Sequence, residues 1–299
     1  MKRILKWTGI GIGALILLVV VVAAIQIVRF DRAMAAAVDV PEVNIVASPD
    51  STVLARGQHV ASSFGGCTAC HGADLSGTPP ESFGPIGVMS PPNLTSGQGG
   101  VAANYTDQQL ARAIRYGVRH DGTSLMFMPT EEHIWWPDSD LQAVVSYVRS
   151  VPPVDVQREP SGTGALGKIL TGFGIMDFRS AIAVQKLDVG TPPDPEPTAR
   201  YGQFLALGCR GCHGEHFSGG PIPGAPADLP VPTNITPHET GVGNWTYDDF
   251  KRLLATGTRP DGTRIDPFMP IENLNRMSEL EKTALWEYLQ SLEPRPYGE

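Results

Sequence analysis

Two pentapeptides concentrate the chemistry of this 299-residue chain: Cys67-Thr68-Ala69-Cys70-His71 and Cys209-Arg210-Gly211-Cys212-His213. Together they use all four cysteines. C-x-x-C-H is the spacing of covalent haem attachment. The two thiols add across the porphyrin vinyl groups as thioethers, and the histidine one residue on supplies the proximal iron ligand. A thioredoxin-like redox pair needs a βαβ context, which neither pentapeptide has. A four-cysteine zinc site would not repeat a histidine after each pair. A disulfide within each pair would leave both histidines without a role. The expectation is two covalently bound haem c groups, held by Cys67, Cys70, His71, Cys209, Cys212 and His213.

The pentapeptides belong to a longer repeat. Leu54-Ala55-Arg56-Gly57-Gln58 recurs as Ala199-Arg200-Tyr201-Gly202-Gln203, and Asn93-Leu94-Thr95 as Asn234-Ile235-Thr236. Tyr105-Thr106 matches Trp245-Thr246, Asp121-Gly122 matches Asp261-Gly262, and Met128-Pro129 matches Met269-Pro270. The closing match pairs Ser139-Asp140-Leu141 with Ser278-Glu279-Leu280. So many matches in order indicate duplicated domains rather than a solenoid. The expected organisation is an anchor at 1–32, one domain at 50–151, a linker at 152–197 and a second domain at 198–293.

A ligand needed in both domains should recur, so the repeat filters the candidates for the sixth iron position. His59 faces Phe204, His120 faces Pro260 and His216 faces Asp74, so none of these recurs. Met89 falls opposite Pro230. Only Met128 and Met269 correspond, each followed by proline, with Met126 as a fallback in the first domain. A thioether is a soft ligand that suits ferrous iron and raises the reduction potential. The expected metal ligands are therefore His71, Met128, His213 and Met269. Pro79 and Pro221 keep the repeat offset and are candidates to offer a carbonyl to the proximal histidine. They read equally well as loop prolines.

The elements that must position these groups are helical. Thr106 and Gln109 form a capping box before Leu110, Ala113 and Ile114, and Gly117 supplies the stop. Thr246 opens the equivalent helix through Phe250, Leu253 and Leu254, and Gly257 ends it. Capping boxes at Ser139/Gln142 and Ser278/Glu281 start the closing helices, with stripes Leu141, Val144, Val145, Val148 and Leu280, Leu285, Tyr288, Leu289. No alternating strand pattern of useful length is present. The linker opens and closes on prolines, but its middle, 166–184, is apolar and should pack across the domains or on a partner. The chain has 33 glycines and 27 prolines, consistent with long loops.

At the amino terminus Lys2, Arg3 and Lys6 precede an apolar run from Ile10 to Val28, interrupted only by Gln26. As a helix this run would span about 28 Å, close to the hydrocarbon thickness of a bilayer. That length favours an uncleaved single-pass anchor with the basic flank in the cytoplasm. A cleaved signal ending near Ala33-Met34-Ala35-Ala36-Ala37 is the alternative. Haem c is attached outside the cytoplasm, which agrees with export. Beyond position 32 there are 18 basic and 30 acidic residues, a net charge of −12. Nucleic acid is excluded as a partner, because phosphate binding needs clustered cations. A redox partner with a basic docking surface fits better.

With C-x-x-C-H, the later Met-Pro and the capped closing helix in place, each repeat resembles a class I cytochrome c domain. The finer pattern is Asn-Leu/Ile-Thr, an aromatic-Thr helix start, Gly-x-Arg-x-Asp-Gly-Thr and Phe-Met-Pro. It resembles the cytochrome c subunits of membrane-bound bacterial alcohol, gluconate and aldehyde dehydrogenases. The familiar alcohol and gluconate form has three haem motifs; this chain has two, plus the apolar amino-terminal segment. The resemblance implies a mainly α fold, two tandem class I cytochrome c domains behind one transmembrane helix at the bacterial inner membrane. Electrons would pass from an exported dehydrogenase catalytic subunit to quinone, an oxidase or a soluble cytochrome on the periplasmic side. A dihaem peroxidase is the alternative, but it needs one low-coordinate haem and a neighbouring acid–base group. Here both repeats carry the same Met-Pro, so no catalytic residue is expected.

Overall fold

A computed structural model describes residues 2–184, 190–222 and 229–299. Parts of the expected linker and of the expected second domain lie outside these residues. The chain opens with a single long helix, α1 (Lys2–Ala35), about 51 Å at the helical rise. It is long and apolar enough to cross a membrane. The first helical unit follows: α2 (Ser51–Ser62), α3 (Cys67–His71), α4 (Asp107–Tyr116), α5 (Thr130–His133) and α6 (Asp138–Ser150). The connector contributes α7 (Ala165–Gly172) and α8 (Ser180–Val184). The second unit repeats the order with α9 (Ala199–Leu205), α10 (Arg210–His213), α11 (Tyr247–Thr256), α12 (Ile271–Asn275) and α13 (Glu279–Ser291). The strands β1 (Glu81–Ser82), β2 (Gly87–Met89) and β3 (Gly162–Thr163) form a small antiparallel sheet in that order.

Each unit is closed by crossing its first helix over its last. Gly57 of α2 meets α6 so closely that a Cβ there would stand 1.9 Å from the Ala143 carbonyl oxygen. Gly202 of α9 meets α13 the same way, 1.9 Å from the Ala284 carbonyl oxygen. Only glycine permits either crossing. Around them pack Val60, Leu141, Val144 and Val145 in the first unit and Phe204, Leu254, Leu285 and Leu289 in the second. The clusters are continuous, and Phe64 meets Phe204 edge to face with centroids 6.2 Å apart. Truncating a fully buried Leu141 to alanine would cost about 3 kcal/mol.

The capping boxes at Thr106/Gln109 and Ser278/Glu281 are formed as expected, and Thr246 pairs with Asp249 in a third. The box expected at Ser139/Gln142 is not. Helix α6 starts at Asp138 after Pro137, with no side-chain cap, and Gln142 instead donates to the Val46 carbonyl. The cause is a two-residue slip in the repeat. Helices α6 and α13 have the same length and align with Pro137 opposite Ser278, so Asp140 corresponds to Glu281 and Tyr147 to Tyr288. The same slip explains Leu280, which the expected apolar stripe includes but which is exposed. It stands opposite Ser139, on the outer face.

Two stretches outside the expected domain bounds, residues 38–48 and the connector, are part of the first unit. Residues 38–48 dock on it: the Val38 N–H donates to the Gly122 carbonyl, the Ala47 N–H to Asp107, and Val43 and Ile45 are buried. The connector belongs there too. Asn93 donates to the Val154 and Val156 carbonyls, Arg158 to those of Ser76 and Gly77, and β3 pairs with β2. Helix α7 packs on α1 rather than across the two units.

Candidate haem-attachment sites

The C-x-x-C-H pentapeptides form single helical turns, α3 in the first unit and the end of a 3-10 segment running into α10 in the second. The glycine after each histidine stops the turn at a positive φ with an extended ψ, 79°/162° at Gly72 and 80°/169° at Gly214, a conformation that favours glycine. One helical turn brings both cysteines and the histidine to the same small patch. All four thiols are free, Cys70 and Cys212 exposed and Cys67 and Cys209 half-buried. Burial pushes the Cys67 and Cys209 thiols up to about 12 and raises those of Cys70 and Cys212. A redox dithiol needs the opposite, a depressed thiol pKa. Among the described residues no group of three His, Cys, Asp or Glu side chains gathers into a metal cluster of the zinc type.

Both histidines are buried and aimed identically. The Nδ1–H of His71 donates to the Pro92 carbonyl at 2.9 Å, and that of His213 to the Thr233 carbonyl at 2.7 Å. A carbonyl can only accept, so each Nδ1 carries the proton and each Nε2 keeps its lone pair for a metal. Burial lowers the pKa of both rings, which favours the neutral, ligating form. The donor set therefore fits haem c at both turns. The carbonyls come from Pro92 and Thr233, not from Pro79 and Pro221 as the sequence suggested. Their signal was present: each immediately precedes the recurring Asn-Leu/Ile-Thr.

That tripeptide does structural work behind each histidine. Asn93 and Asn234 are buried, and each accepts from the N–H of the threonine two residues on at 2.9 Å. Asn93 donates to the Val154 carbonyl at 2.7 Å, and Asn234 to the Arg295 carbonyl at 2.7 Å. Leu75 and Phe217 sit between the pentapeptide and the tripeptide, both at φ near +60° and both buried. Their carbonyls accept from the N–H groups of Leu94 and Ile235. Strain at a non-glycine residue is tolerated where surrounding contacts overdetermine it.

Met128 and Met269 are both half-buried and lead through Pro129 and Pro270 into α5 and α12. The prolines share one conformation, with φ/ψ of −79°/64° and −77°/59°. The fallback Met126 is engaged elsewhere, its sulfur accepting from the Thr163 hydroxyl at 3.2 Å. His133 is buried against Trp136 with centroids 4.6 Å apart, and burial drives its ring down to about 4.

The two units present these parts to each other. Glu132, in α5, reaches the second pentapeptide, so that a Cβ on Gly208 would lie 3.0 Å from its Oε2. Asn273, in α12, reaches the first, donating to Thr68 at 3.0 Å. Residues 132 and 273 are equivalent positions of the repeat, so each unit touches the other's attachment turn with the same element. Burial, with Glu131 nearby, holds the Glu132 carboxyl up to about 7. The pair leaves no trace in the sequence repeat because the residue types differ. A second bridge links the units: Glu281 binds His59 at 2.8 Å and Arg56 at 3.3 Å, while Arg56 also grips Asp140 in a bidentate pair.

Comparison with known proteins agrees with this geometry. Residues 54–152 match the cytochrome c family model. The chain is 26% identical over 276 residues to the cytochrome c subunit of alcohol dehydrogenase (quinone) from Gluconobacter oxydans (strain 621H), covering 83% of this chain and 56% of that one. It is 32% identical over 114 residues to the fructose dehydrogenase cytochrome subunit of Gluconobacter japonicus, covering 33% of this chain and 24% of that one. It is 33% identical over 96 residues to the gluconate 2-dehydrogenase cytochrome c subunit of Pantoea cypripedii, covering 30% of this chain and 22% of that one. The chain thus spans little more than half of the alcohol dehydrogenase subunit and less of the others. Residues 54–152 are a cytochrome c domain, in a chain related to the cytochrome c subunits of alcohol, fructose and gluconate dehydrogenases.

Proposed function

We propose that the chain is a membrane-anchored dihaem electron carrier of a dehydrogenase complex. In this reading residues 50–151 and 198–293 are tandem cytochrome c domains, and α1 anchors them on the periplasmic side of the bacterial inner membrane. The observation that carries it is the duplicated attachment turn, with the same Nδ1-to-carbonyl bond behind His71 and His213. Haem, when bound, supplies one-electron exchange at its iron. Cys67 and Cys70 would tether one group and Cys209 and Cys212 the other. His71 and His213 would give the proximal nitrogens, and Met128 and Met269 the distal sulfurs. With both sixth positions filled, neither iron offers a substrate site, which separates a carrier from a peroxidase.

The protein's part is orientation. Pro92 and Thr233 hold each imidazole in one tautomer. Glu132 and Asn273 hold the two attachment turns against a common interface, so exchange between haems stays within the chain. The donor would be an exported dehydrogenase catalytic subunit, and the acceptor quinone, an oxidase or a soluble cytochrome.

The test is to extract the full chain from bacterial membranes in mild detergent, count haem per polypeptide and identify what co-purifies. Two haems, with a large exported dehydrogenase subunit at near-equal stoichiometry, are expected. One haem per chain would overturn the dihaem assignment. Recovery alone or with an oxidase would overturn the dehydrogenase partnership.

A further inference from the structure

Helix α7 runs antiparallel along the last turns of α1. Its Lys168 ammonium binds Asp31 at 2.7 Å and lies 5.8 Å from the centroid of the Phe30 ring. One turn later Gly172 abuts Gln26, and a Cβ there would meet the Gln26 Oε1 at 2.5 Å. Four residues of helix rise about 6 Å. As α7 advances it therefore descends α1, from the charged end towards the apolar run that stretches from Ile10 to Val28. Gln26 already lies inside that run.

The chain then turns at Phe173-Gly174-Ile175, level with Gln26 or below it. Phe173 and Ile175 are 55% and 53% exposed, and Ile25 and Val28, which flank Gln26 on α1, are about half exposed. From Ile169 to Met176 there is no charged residue. The charges that flank this stretch are both paired, Lys168 with Asp31 at 2.7 Å and Asp177 with Arg179 at 2.7 Å, so they can sit at a boundary between apolar and aqueous surroundings. Large apolar side chains exposed at this level, continuous with the exposed face of α1, fit a lipid surface.

We infer that the 169–176 tip is a second membrane contact, dipping into the same bilayer face from which α1 emerges. The occupant is lipid. The inference rests on the reading of α1 as an anchor, and adds that the first unit is held in one orientation to the membrane. A lone helix would let the haem domains swing. A helix joined to α7, which also packs on the Gly84–Ile86 turn and β2, would not.

The test places a benzoylphenylalanine crosslinker at Phe173 of the full, haem-loaded chain in bacterial membranes, with the same label at Leu17 and at Phe268 as references. A repeat at Ile175 guards against a local effect of the label. After illumination, mass spectrometry identifies the adducts. Phospholipid adducts at 17, 173 and 175 and none at 268 are expected. Lipid at 17, with 173 and 175 unreacted or joined to another polypeptide, would overturn the second contact and leave the anchor standing. No lipid at 17 would overturn the anchor itself and the inference with it.

Discussion

The two Met-Pro loops share a frame but not a cover. In the first, the connector lies across the loop. The Phe127 N–H donates to the Phe178 carbonyl at 3.0 Å, and the two rings stand 4.9 Å apart. The Ser180 N–H donates to the Leu125 carbonyl, and the Thr130 hydroxyl to the Ser180 carbonyl at 2.9 Å. These bonds hold Phe127 at a φ of 63°, unusual for an aromatic residue. The second loop closes on itself. Asp266 accepts from the Phe268 N–H and, through its carbonyl, from the Met269 N–H, and Phe268 is half exposed. The repeat keeps Met-Pro and its backbone conformation, whereas the outside of each loop differs. On this basis the second iron should be the more open to small external ligands and to aqueous partners.

The largest expected effect tests whether the frames are equivalent. Replacing Cys67 and Cys70 by alanine, or Cys209 and Cys212, should in either case leave one covalent haem per chain, read by haem assay of the denatured protein. If one pair of substitutions leaves the count at two, the sites are not equivalent. Next in size is the distal ligand. Met128→Ala and Met269→Ala should each lower one haem potential by on the order of 0.1 V, within the ~0.8 V range that axial ligands command. Covalent attachment should survive in both. In the parent protein imidazole should displace the second methionine first, and equal titrations of the two haems would break the comparison.

A smaller effect isolates the cover. Thr130 is fully buried and its equivalent in the second loop is Ile271, so the hydroxyl serves only the connector. Thr130→Val keeps the shape and leaves the Ser180 carbonyl without this donor, at a cost of about 1–3 kcal/mol. Denaturant unfolding should register that loss. Imidazole access at the first haem should rise towards that of the second, and unchanged access would show that the connector does not shield the iron.

Much of this was legible in the sequence because the chemistry uses rare residue types at fixed spacing. Four cysteines in two pentapeptides marked both C-x-x-C-H turns, and Thr106 and Thr246 marked the starts of α4 and α11. What escaped detection was made by backbone or by unlike side chains. Any residue type could supply the Pro92 and Thr233 carbonyls, so only their place before the recurring Asn-Leu/Ile-Thr marks them. Glu132 and Asn273 do the same job with different groups, and identity matching discards such pairs. The slip at Ser139 arose because Ser-Asp-Leu and Ser-Glu-Leu look alike while the helix register is set by Pro137 and by the Gly57–Ala143 crossing. The connector's attachment to the first unit had no local pattern, because it is held by Asn93, Arg158 and short strand pairing.

The smallest expected effect lies between the units, where equivalent positions have again diverged. Asp140 and Glu281 correspond, yet Arg56 of the first unit serves both and His59 serves Glu281, while the second unit offers Tyr201 and Phe204 at the matching places. Glu281 is 2% exposed. Burial pulls its pKa upward, but the hydrogen bonds from His59 and the Ser278 N–H and the charge of Arg56 together hold it below the ordinary carboxylate value of 4.5. A carboxyl depressed in the folded state stabilises it above that value, and the contribution is lost as the pH falls through the folded pKa. Stability followed from pH 7 to pH 3 should therefore fall more steeply in the parent protein than in Glu281→Gln, whose amide does not titrate. Parallel curves would mean that the bridge aligns the two units without contributing to their acid stability.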